Sequence, residues 1–204
     1  PLAGIKGAID VIRDSLSPDD VHKEILGDVL YEVTRIDKIV RDLLNYAKPK
    51  PPSLSEISLP EIVQRMVAMA RKSSKDEAHS IQVVEETEIP RFTGDETQLE
   101  QVLLNLLLNA LNATPSGGLI QVRLAYDKET YCVRVEVEDN GPGIPEEIRR
   151  KIFQPFFTTR SDGTGLGLAT CLKNVQYHGG NIDFHSDAGH GTTFVVSIPL
   201  LCRI

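Results

Sequence analysis

Residues 139–145 read Asp-Asn-Gly-Pro-Gly-Ile-Pro, and the interpretation of the whole chain starts from this stretch. Three more motifs accompany it in a fixed order: Asn-Leu-Leu-Leu-Asn-Ala at 105–110, Phe-Gln-Pro-Phe-Phe-Thr-Thr-Arg at 153–160 and Gly-Thr-Gly-Leu-Gly-Leu at 163–168. Each motif alone is a weak signal, because an Asp-Asn-Gly sequence is also an ordinary turn. Together, within the length of one domain, they predict one site assembled from several elements.

The Asp-Asn-Gly-Pro-Gly motif follows a predicted strand. Residues 131–138 alternate between apolar and polar side chains, which is typical of a strand with one buried face. Asp139 therefore stands at a strand end, where its carboxylate can accept a hydrogen bond from an exocyclic amine. Gly141 and Gly143 would let the backbone approach a base closely. Taken in isolation, the motif would be better interpreted as a plain turn.

The first motif lies on a predicted helix, which starts after Asp95 and covers residues 96–113. Asn105 and Asn109 are four residues apart and so share one face of that helix. Asparagine is a poor residue inside a helix, and two of them among leucines require a reason. A neutral amide oxygen suits a magnesium ion that also holds phosphates. The alternative is a pair of solvent-facing or capping asparagines.

The glycine motif at 163–168 leads into a predicted helix at about 166–177. A Rossmann fingerprint should follow the first strand of a βαβ unit, whereas this motif follows the phenylalanine-rich segment. Phosphates bound by the amides of a helix N-terminus fit the pattern better. Ser161 and Asp162 suggest a mobile loop that could close over the site. Three phenylalanines are expected to anchor this lid, with plain core packing as the alternative: Phe153, Phe156 and Phe157.

The first 47 residues predict a helical hairpin. Apolar residues recur at three- and four-residue steps, first over residues 2–16 and then as a heptad seam over 26–47. A Ser-Pro-Asp-Asp sequence at 17–20 separates the two helices, and an Asp there can cap the second. Both stripes are too wide for two helices to bury, which favours a four-helix bundle formed by two chains. An intramolecular hairpin packed on the main domain is the alternative.

The remaining patterns predict an α+β protein. Strands are expected at 81–84, 119–124, 182–186 and 193–199, the last two as a closing hairpin. Strands interleaved with helices indicate a two-layer α/β sandwich with a mixed sheet. The expected organisation is a dimerisation hairpin at 1–47, a proline-rich linker at 48–55 and an ATP-binding domain at 56–204.

The four motifs resemble, in order, the N, G1, F and G2 boxes of the sensor histidine kinases, a branch of the GHKL superfamily with the Bergerat ATP-binding fold. Residues 1–7 look like the stretch after the phosphoacceptor histidine, so the resemblance covers essentially the whole chain and is nearest to the nitrogen-regulation type. It implies an ATP-dependent protein-histidine kinase that passes the γ-phosphoryl group to a histidine expected just upstream of Pro1, and then to an aspartate of a response regulator.

The resemblance also implies the roles of individual residues. Asp139 would bind the adenine amino group, and Asn109 would be the Mg²⁺ ligand. The other implied ATP contacts are Asn105, Asn112, Ala113, Gly141, Gly143, Ile144, Thr159, Arg160, Gly163, Thr164, Gly165, Leu166, Gly167, Leu168 and Thr192. Many family members carry a basic residue near position 112. Its absence here leaves the neutralisation of phosphate charge to other residues.

Three other functions remain open at this point. A GHKL ATPase that drives conformational change would place a glutamate one turn before the magnesium asparagine, where this chain has Asn105, so efficient hydrolysis is disfavoured. An anti-sigma factor of the same fold would lack the hairpin. A module unable to bind nucleotide is the least favoured, because every motif is intact.

The composition of the chain excludes further classes of function. The net charge of −7 argues against nucleic-acid binding, which needs a basic surface. No apolar run reaches the length of a membrane span, so no direct membrane contact is expected of this chain. Cys132, Cys171 and Cys202 have apolar neighbours and are expected to be small core residues in a reducing, cytoplasmic compartment.

The 204-residue chain is predicted to bind ATP without phosphorylating itself on histidine, because none of its five histidines occupies the expected acceptor position. Extending it upstream by one or two helical turns should restore acid-labile phosphorylation with nearly unchanged ATP affinity. Incubation of both proteins with labelled ATP is the measurement. Strong acid-labile label on the 204-residue chain would contradict the prediction and point first to His22.

Overall fold

The computed structural model describes five stretches of the chain, and for Asn45 the backbone alone: 1–17, 20–47, 52–74, 78–160 and 163–200. The elements in chain order are α1 (Leu2–Ser15), α2 (His22–Ala47), β1 (Ser55–Ile57), α3 (Leu59–Ser73), β2 (Ser80–Glu85), β3 (Phe92–Gly94), α4 (Glu96–Ala113), β4 (Leu119–Asp127), β5 (Cys132–Asp139), α5 (Glu146–Arg149), α6 (Gly167–Tyr177), β6 (Asn181–Asp187) and β7 (Gly191–Pro199).

The first two helices form the predicted hairpin. Asp20 accepts a hydrogen bond from the His22 amide at 2.9 Å and so satisfies a donor at the start of α2. Leu30 is buried between the helices. Many other apolar residues of the two stripes stay exposed in the single chain: Ile5, Ile12, Val29, Ile36, Ile39, Val40, Leu43 and Leu44. The hairpin therefore presents a wide apolar face that no other part of the described chain covers.

The main sheet has five strands in the order β2-β4-β5-β7-β6. Strands β2 and β4 are parallel, and the remaining neighbours are antiparallel, so the sheet is mixed as predicted. Side chains alternate along the central strands. Ile120, Val122 and Leu124 of β4 are buried, whereas Gln121 and Arg123 lie on the opposite face.

Three helices cover the apolar face of this sheet. Helix α4 packs between α3 and α6. Of the strands, β5 is contacted by α4, β2 by α3 and β6 by α6. The opposite face is polar: the Arg123 guanidinium donates hydrogen bonds to Glu136 at 2.9 Å and Glu138 at 2.6 Å. A sheet with one apolar and one polar face needs helices on one side only, which gives the two-layer sandwich expected from the sequence.

A second, two-stranded sheet was not predicted. Strands β1 and β3 are antiparallel and have three residues each, too few to show an alternating pattern. Strand β1 begins at Ser55, the last residue of the predicted linker, and β3 comes just before α4. Residues 48–51 of the linker lie outside the described residues.

Asp95 joins three parts of the domain just after this small sheet. Its carboxylate accepts hydrogen bonds from the Gln98 amide at 2.9 Å, which caps α4, and from the Ser53 amide at 2.7 Å. Its own amide donates to Nε2 of the buried His178 at 2.9 Å, while Nδ1 of that ring lies 2.8 Å from the Asn174 carbonyl. A carbonyl only accepts, so Nδ1 carries the proton and the ring is neutral.

Of the two cysteines that the structure describes, Cys171 is a small core residue as expected and Cys132 is not. Cys171 is buried in α6, and burial raises the pKa of its thiol to about 12, so it stays protonated at neutral pH. Cys132 is half-buried, and Cys202 lies outside the described residues. None of the described helices combines the length and apolar character needed to cross a bilayer.

Replacing Asp95 with alanine should lower the free energy of unfolding by about 1–3 kcal/mol, because the α4 cap and the Ser53 amide both lose their acceptor. Urea unfolding followed by circular dichroism measures this. Glu85→Ala, at an exposed position of the edge strand β2, is the control and should change little. Equal stability of the two variants would contradict the structural role assigned to Asp95.

Candidate functional site

The four motifs meet at one cavity of about 690 Å³, between α4, α5, α6 and the end of β5. This volume is within the range of small-molecule sites. Every residue predicted for the site lines the cavity except Gly141. The structure thus brings together side chains that are up to 87 positions apart in sequence, from Asn105 to Thr192.

Asp139 ends strand β5 and is 4% exposed. Its Oδ1 accepts a hydrogen bond from the Gly141 amide at 2.9 Å. Burial raises the pKa of the carboxyl group above 3.8, while hydrogen bonds from the Gly141 and Thr192 backbone amides oppose the rise. The carboxylate is therefore held in a shielded position, facing the cavity and able to accept a further hydrogen bond.

Gly141 is needed for the shape of the turn rather than for the cavity wall. A Cβ atom at this position would lie 2.8 Å from the Ala113 carbonyl oxygen and 2.8 Å from Asp139 Oδ1. The turn after β5 can therefore pack under the C-terminus of α4 only with glycine at this position. Gly141 is not among the residues that line the cavity, and its contact with ATP stays a prediction.

The two asparagines of α4 have different surroundings. Nδ2 of Asn105 donates to the Gly167 carbonyl at 3.3 Å, which ties α4 to the start of α6. Asn109, one turn later, is half-buried and lines the cavity. No hydrogen bond of its amide to any described residue is present. Asn109 is thus the amide of the pair that is available to a ligand.

Asn112 completes this face of the helix. Its Nδ2 donates to the Leu108 carbonyl of the preceding turn, and the side chain is otherwise exposed at the cavity rim. The amide cannot supply the positive charge that the resemblance associates with this part of the helix. Any cation at this part of the cavity must come from another element.

The glycine motif forms the other end of the cavity. Gly165 has a φ of +67°, and a Cβ atom there would overlap the Phe156 backbone. Its carbonyl accepts the Phe156 amide at 2.9 Å, so the phenylalanine-rich segment and the glycine motif are joined through their main chains. Among the described residues, no side chain caps the N-terminus of α6, so its first amides are available to an anion.

The three phenylalanines have three different environments. Phe153 packs against Phe184 and Phe194 with ring centroids 6.1 and 6.5 Å apart, and so anchors its segment to the sheet. Phe157 is half-buried and lines the cavity. Phe156 is 61% exposed and has a φ of +67°. The expectation that all three anchor the lid is wrong for Phe156. The predicted mobile pair, Ser161 and Asp162, lies outside the described residues.

Ser186 is a supporting residue that the sequence did not reveal. Its hydroxyl accepts the Ile144 amide at 2.7 Å, donates to the Gly191 carbonyl at 3.0 Å and lies 3.0 Å from the Thr192 hydroxyl. It thereby joins the turn after β5 to the β6–β7 hairpin beside Asp139. A single serine in an alternating strand carries no signal of such a role.

Two further lining residues come from outside the predicted ATP-binding domain. Lys38 and Asp42 of α2 face the cavity from the hairpin. Asp42 Oδ2 accepts a hydrogen bond from the Thr164 hydroxyl at 3.0 Å. The two residues lie 122 positions apart in sequence, and no local pattern links them.

Two family models match the chain. Residues 94–201 match "Histidine kinase-, DNA gyrase B-, and HSP90-like ATPase", which is more than half of the chain. Residues 1–52 match the "His Kinase A (phospho-acceptor) domain". The two matches cover the cavity-bearing domain and the helical hairpin in turn.

Curated relatives are similar over nearly the whole chain. The sensory histidine kinase/phosphatase NtrB of Rhodobacter capsulatus is 36% identical over 215 residues, covering 98% of this chain and 58% of the relative. The signal transduction histidine-protein kinase AtoS of Escherichia coli is 32% identical over 200 residues, covering 98% of this chain and 33% of the relative. The chain therefore spans between a third and three-fifths of these two proteins.

Several solved structures have a fold similar to that of this chain. The catalytic domain of histidine kinase ThkA is 35% identical, with a TM-score of 0.66 over 72% of this chain and 96% of that domain. ThkA in complex with the response regulator protein TrrA is 30% identical, with a TM-score of 0.75 over 98% of this chain and 57% of that one. Full-length ShkA in complex with AMPPNP, 23% identical, has the same fold with a TM-score of 0.84, covering 98% of this chain and 43% of that one.

The buried Asp139 carboxylate predicts a pH-dependent stability difference. A folded-state pKa raised above 3.8 means that the charged form costs stability at neutral pH and that this cost disappears as the group is protonated. Asp139→Asn should therefore stabilise the ligand-free protein near pH 7.5, and the gain should shrink as the pH falls through the raised folded-state pKa toward 3.8. Urea unfolding of both proteins across this range is the measurement. A gain that is the same at every pH, or a loss at pH 7.5, would contradict the prediction.

Proposed function

Because the chain belongs to the sensor histidine kinases, we propose that it is the ATP-binding and dimerising core of a two-component signalling kinase. In this proposal the γ-phosphoryl group of Mg²⁺-ATP passes to a histidine and then to an aspartate of a response regulator. The observation that carries the proposal is one cavity with a buried carboxylate at one end and, at the other, the start of α6, which no side chain of the described residues caps.

The Asp139 end of the cavity suits an adenine ring. The ionised carboxylate accepts a hydrogen bond but cannot donate one, so it selects a base that presents an amine. Apolar side chains line the same cavity and can contact the faces of a ring: Leu108, Ile144, Ile148, Ile152, Phe157 and Phe194. A buried polar group beside apolar walls is the usual composition of a specific small-molecule site.

The glycine-motif end suits the phosphates. Backbone amides at the start of α6 can bind phosphate oxygens, and the dipole of this helix favours negative charge there. The described residues contain no group of three or more His, Cys, Asp or Glu side chains that could hold a metal by themselves. A magnesium ion would accordingly use phosphate oxygens, water and the free amide oxygen of Asn109. When bound, such an ion neutralises charge on the transferred group.

The surroundings of Asn105 favour transfer to an acceptor over hydrolysis. An ATPase of this superfamily would have a glutamate here to activate water. Asn105 cannot take up a proton, and its amide already donates to the Gly167 carbonyl. The chain therefore lacks a base at the position where hydrolysis would need one. In the kinase reaction the site contributes positioning and charge stabilisation, and the acceptor supplies the nucleophile.

The hairpin fits the proposed dimer and the proposed partner. The wide apolar face of α1 and α2 is exposed in a single chain and would be buried in a four-helix bundle of two chains. ThkA, 30% identical to this chain, was solved in complex with the response regulator protein TrrA. This similarity supports a response-regulator receiver domain as the partner that takes the phosphoryl group from the acceptor histidine.

Replacing Asn109 with alanine should reduce the affinity for ATP strongly when Mg²⁺ is present and little when it is absent, because only the metal-bound form uses the amide oxygen. Isothermal titration calorimetry with and without the ion measures both affinities. Asn181→Ala, an exposed position on β6 away from the cavity, is the control. Equal losses in the two titrations would make Asn109 a structural residue rather than a metal ligand.

Replacing Ile36 and Leu43 with aspartate should convert a dimer into a monomer, because the two exposed side chains lie seven residues apart on one face of α2 and charge there would be buried without a partner. Light scattering at micromolar concentration is the measurement. Tyr31→Asp, at an exposed position on another face of the helix, should remain dimeric. A wild-type protein that is already monomeric would contradict the proposed bundle.

A further inference from the structure

Helix α2 closes one side of the nucleotide cavity. Lys38 and Asp42 are one helical turn apart, so their side chains project from the same face, and both line the cavity. Asp42 accepts the hydrogen bond from the Thr164 hydroxyl at 3.0 Å, and Thr164 belongs to the glycine motif that leads into α6. The two charged side chains of α2 therefore lie at the end of the cavity where phosphates are expected.

A second contact holds α2 in this position. Nζ of Lys173, on α6, donates to the Tyr46 carbonyl at 3.0 Å and lies 5.0 Å from the centre of the Tyr46 ring. This combines a hydrogen bond with a cation–π contact. Because Tyr46 and Asp42 are one turn apart, the end of α2 is joined to both the glycine motif and the helix that follows it. The presence of Lys38 at the cavity thus depends on two separate contacts.

The charged side chains that line the cavity indicate a function for Lys38. Of the described residues that line it, two are acidic and two are cationic. Of the two acidic residues, Asp139 lies at the end proposed for the adenine base, and Asp42 lies at the end proposed for the phosphates. The cations are Lys38 and Arg160. Magnesium-bound ATP still carries net negative charge, and Asn112 cannot neutralise it. Lys38 and Arg160 must therefore supply the positive side chains.

We propose that helix α2 is part of the nucleotide site, with Lys38 as a phosphate-binding residue and Asp42 as a residue that limits affinity. The ammonium group of Lys38 attracts the terminal phosphates. The Asp42 carboxylate repels them and also occupies the Thr164 hydroxyl in the glycine motif. This inference rests on the proposed ATP-binding function and adds to it a contribution from the hairpin. Two residues one turn apart would then change affinity in opposite directions.

The two substitutions are expected to change the affinity for Mg²⁺-ATP in opposite directions, which distinguishes this proposal from a merely structural role of the two residues. Lys38→Met should weaken Mg²⁺-ATP binding by roughly three- to tenfold, and Asp42→Asn should strengthen it by roughly two- to fivefold, as single solvent-accessible charges near phosphates do. Both effects should shrink as salt is added, because exposed charges are screened. Adenosine has no phosphates, so its affinity should be the same in both variants and the wild type.

The experiment is calorimetric titration of the 204-residue chain with Mg²⁺-ATP and with adenosine, at low and high salt. Matched controls remove the same charges away from the cavity: Lys72→Met on α3 and Asp28→Asn on α2, both at exposed positions. Lys38→Arg keeps the charge and should restore most of the affinity for Mg²⁺-ATP lost in Lys38→Met.

The possible results are distinguishable. Weaker binding by Lys38→Met together with tighter binding by Asp42→Asn, for Mg²⁺-ATP alone, supports the proposal. If the wild-type chain binds Mg²⁺-ATP and both variants have the same affinity as their controls, the inference about α2 is wrong and the proposed function is unaffected. Weaker binding by both variants also overturns the inference, because the pair would then be structural. A wild-type chain that binds no nucleotide would refute the proposed function itself.

Discussion

A carboxylate buried at the end of a central strand is the constraint on which this structure depends. Removing the Asp139 charge from water is unfavourable, and two backbone amides, from Gly141 and Thr192, offset part of that cost. Those donors are in place only if the turn after β5 bends back and β7 pairs alongside in register, with Asp139 opposite Thr192. The requirements of one side chain therefore determine the geometry of the turn, the strand pairing and the position of the cavity.

The same constraint extends to the helices. The turn after β5 packs against the C-terminal end of α4 at Ala113, where glycine at 141 avoids a clash. Helix α4 then places Asn105 against the start of α6 and leaves Asn109 open to the cavity. Since the glycine motif precedes α6 and bonds to Asp42, the hairpin is also brought to the cavity. The proposed base end of the cavity, its proposed phosphate end and the helical hairpin are therefore connected by a short series of contacts.

The sequence predicted those features that leave a periodic or motif-level signal. The bounds of α4 agree with the prediction, and the β6–β7 hairpin and the mixed sheet follow from alternation and turn residues. Strands β1 and β3 were missed because three residues cannot show a period. Gly141 does not line the cavity; glycine at this position lets the turn after β5 approach the backbone of α4 at Ala113. Lys38, Asp42 and Ser186 were missed because tertiary packing, rather than any local pattern, brings them to the site.

The central claim is that Asp139 recognises the exocyclic amine of adenine, and the affinity for inosine triphosphate relative to ATP tests it most directly. Inosine presents a carbonyl oxygen where adenine presents the amine, so at that position it has no proton to donate to the carboxylate. Titration of the 204-residue chain with each nucleotide and Mg²⁺ should show inosine triphosphate binding at least about tenfold more weakly. Equal affinities would contradict the assignment of Asp139 and, with it, the orientation of the nucleotide in the cavity.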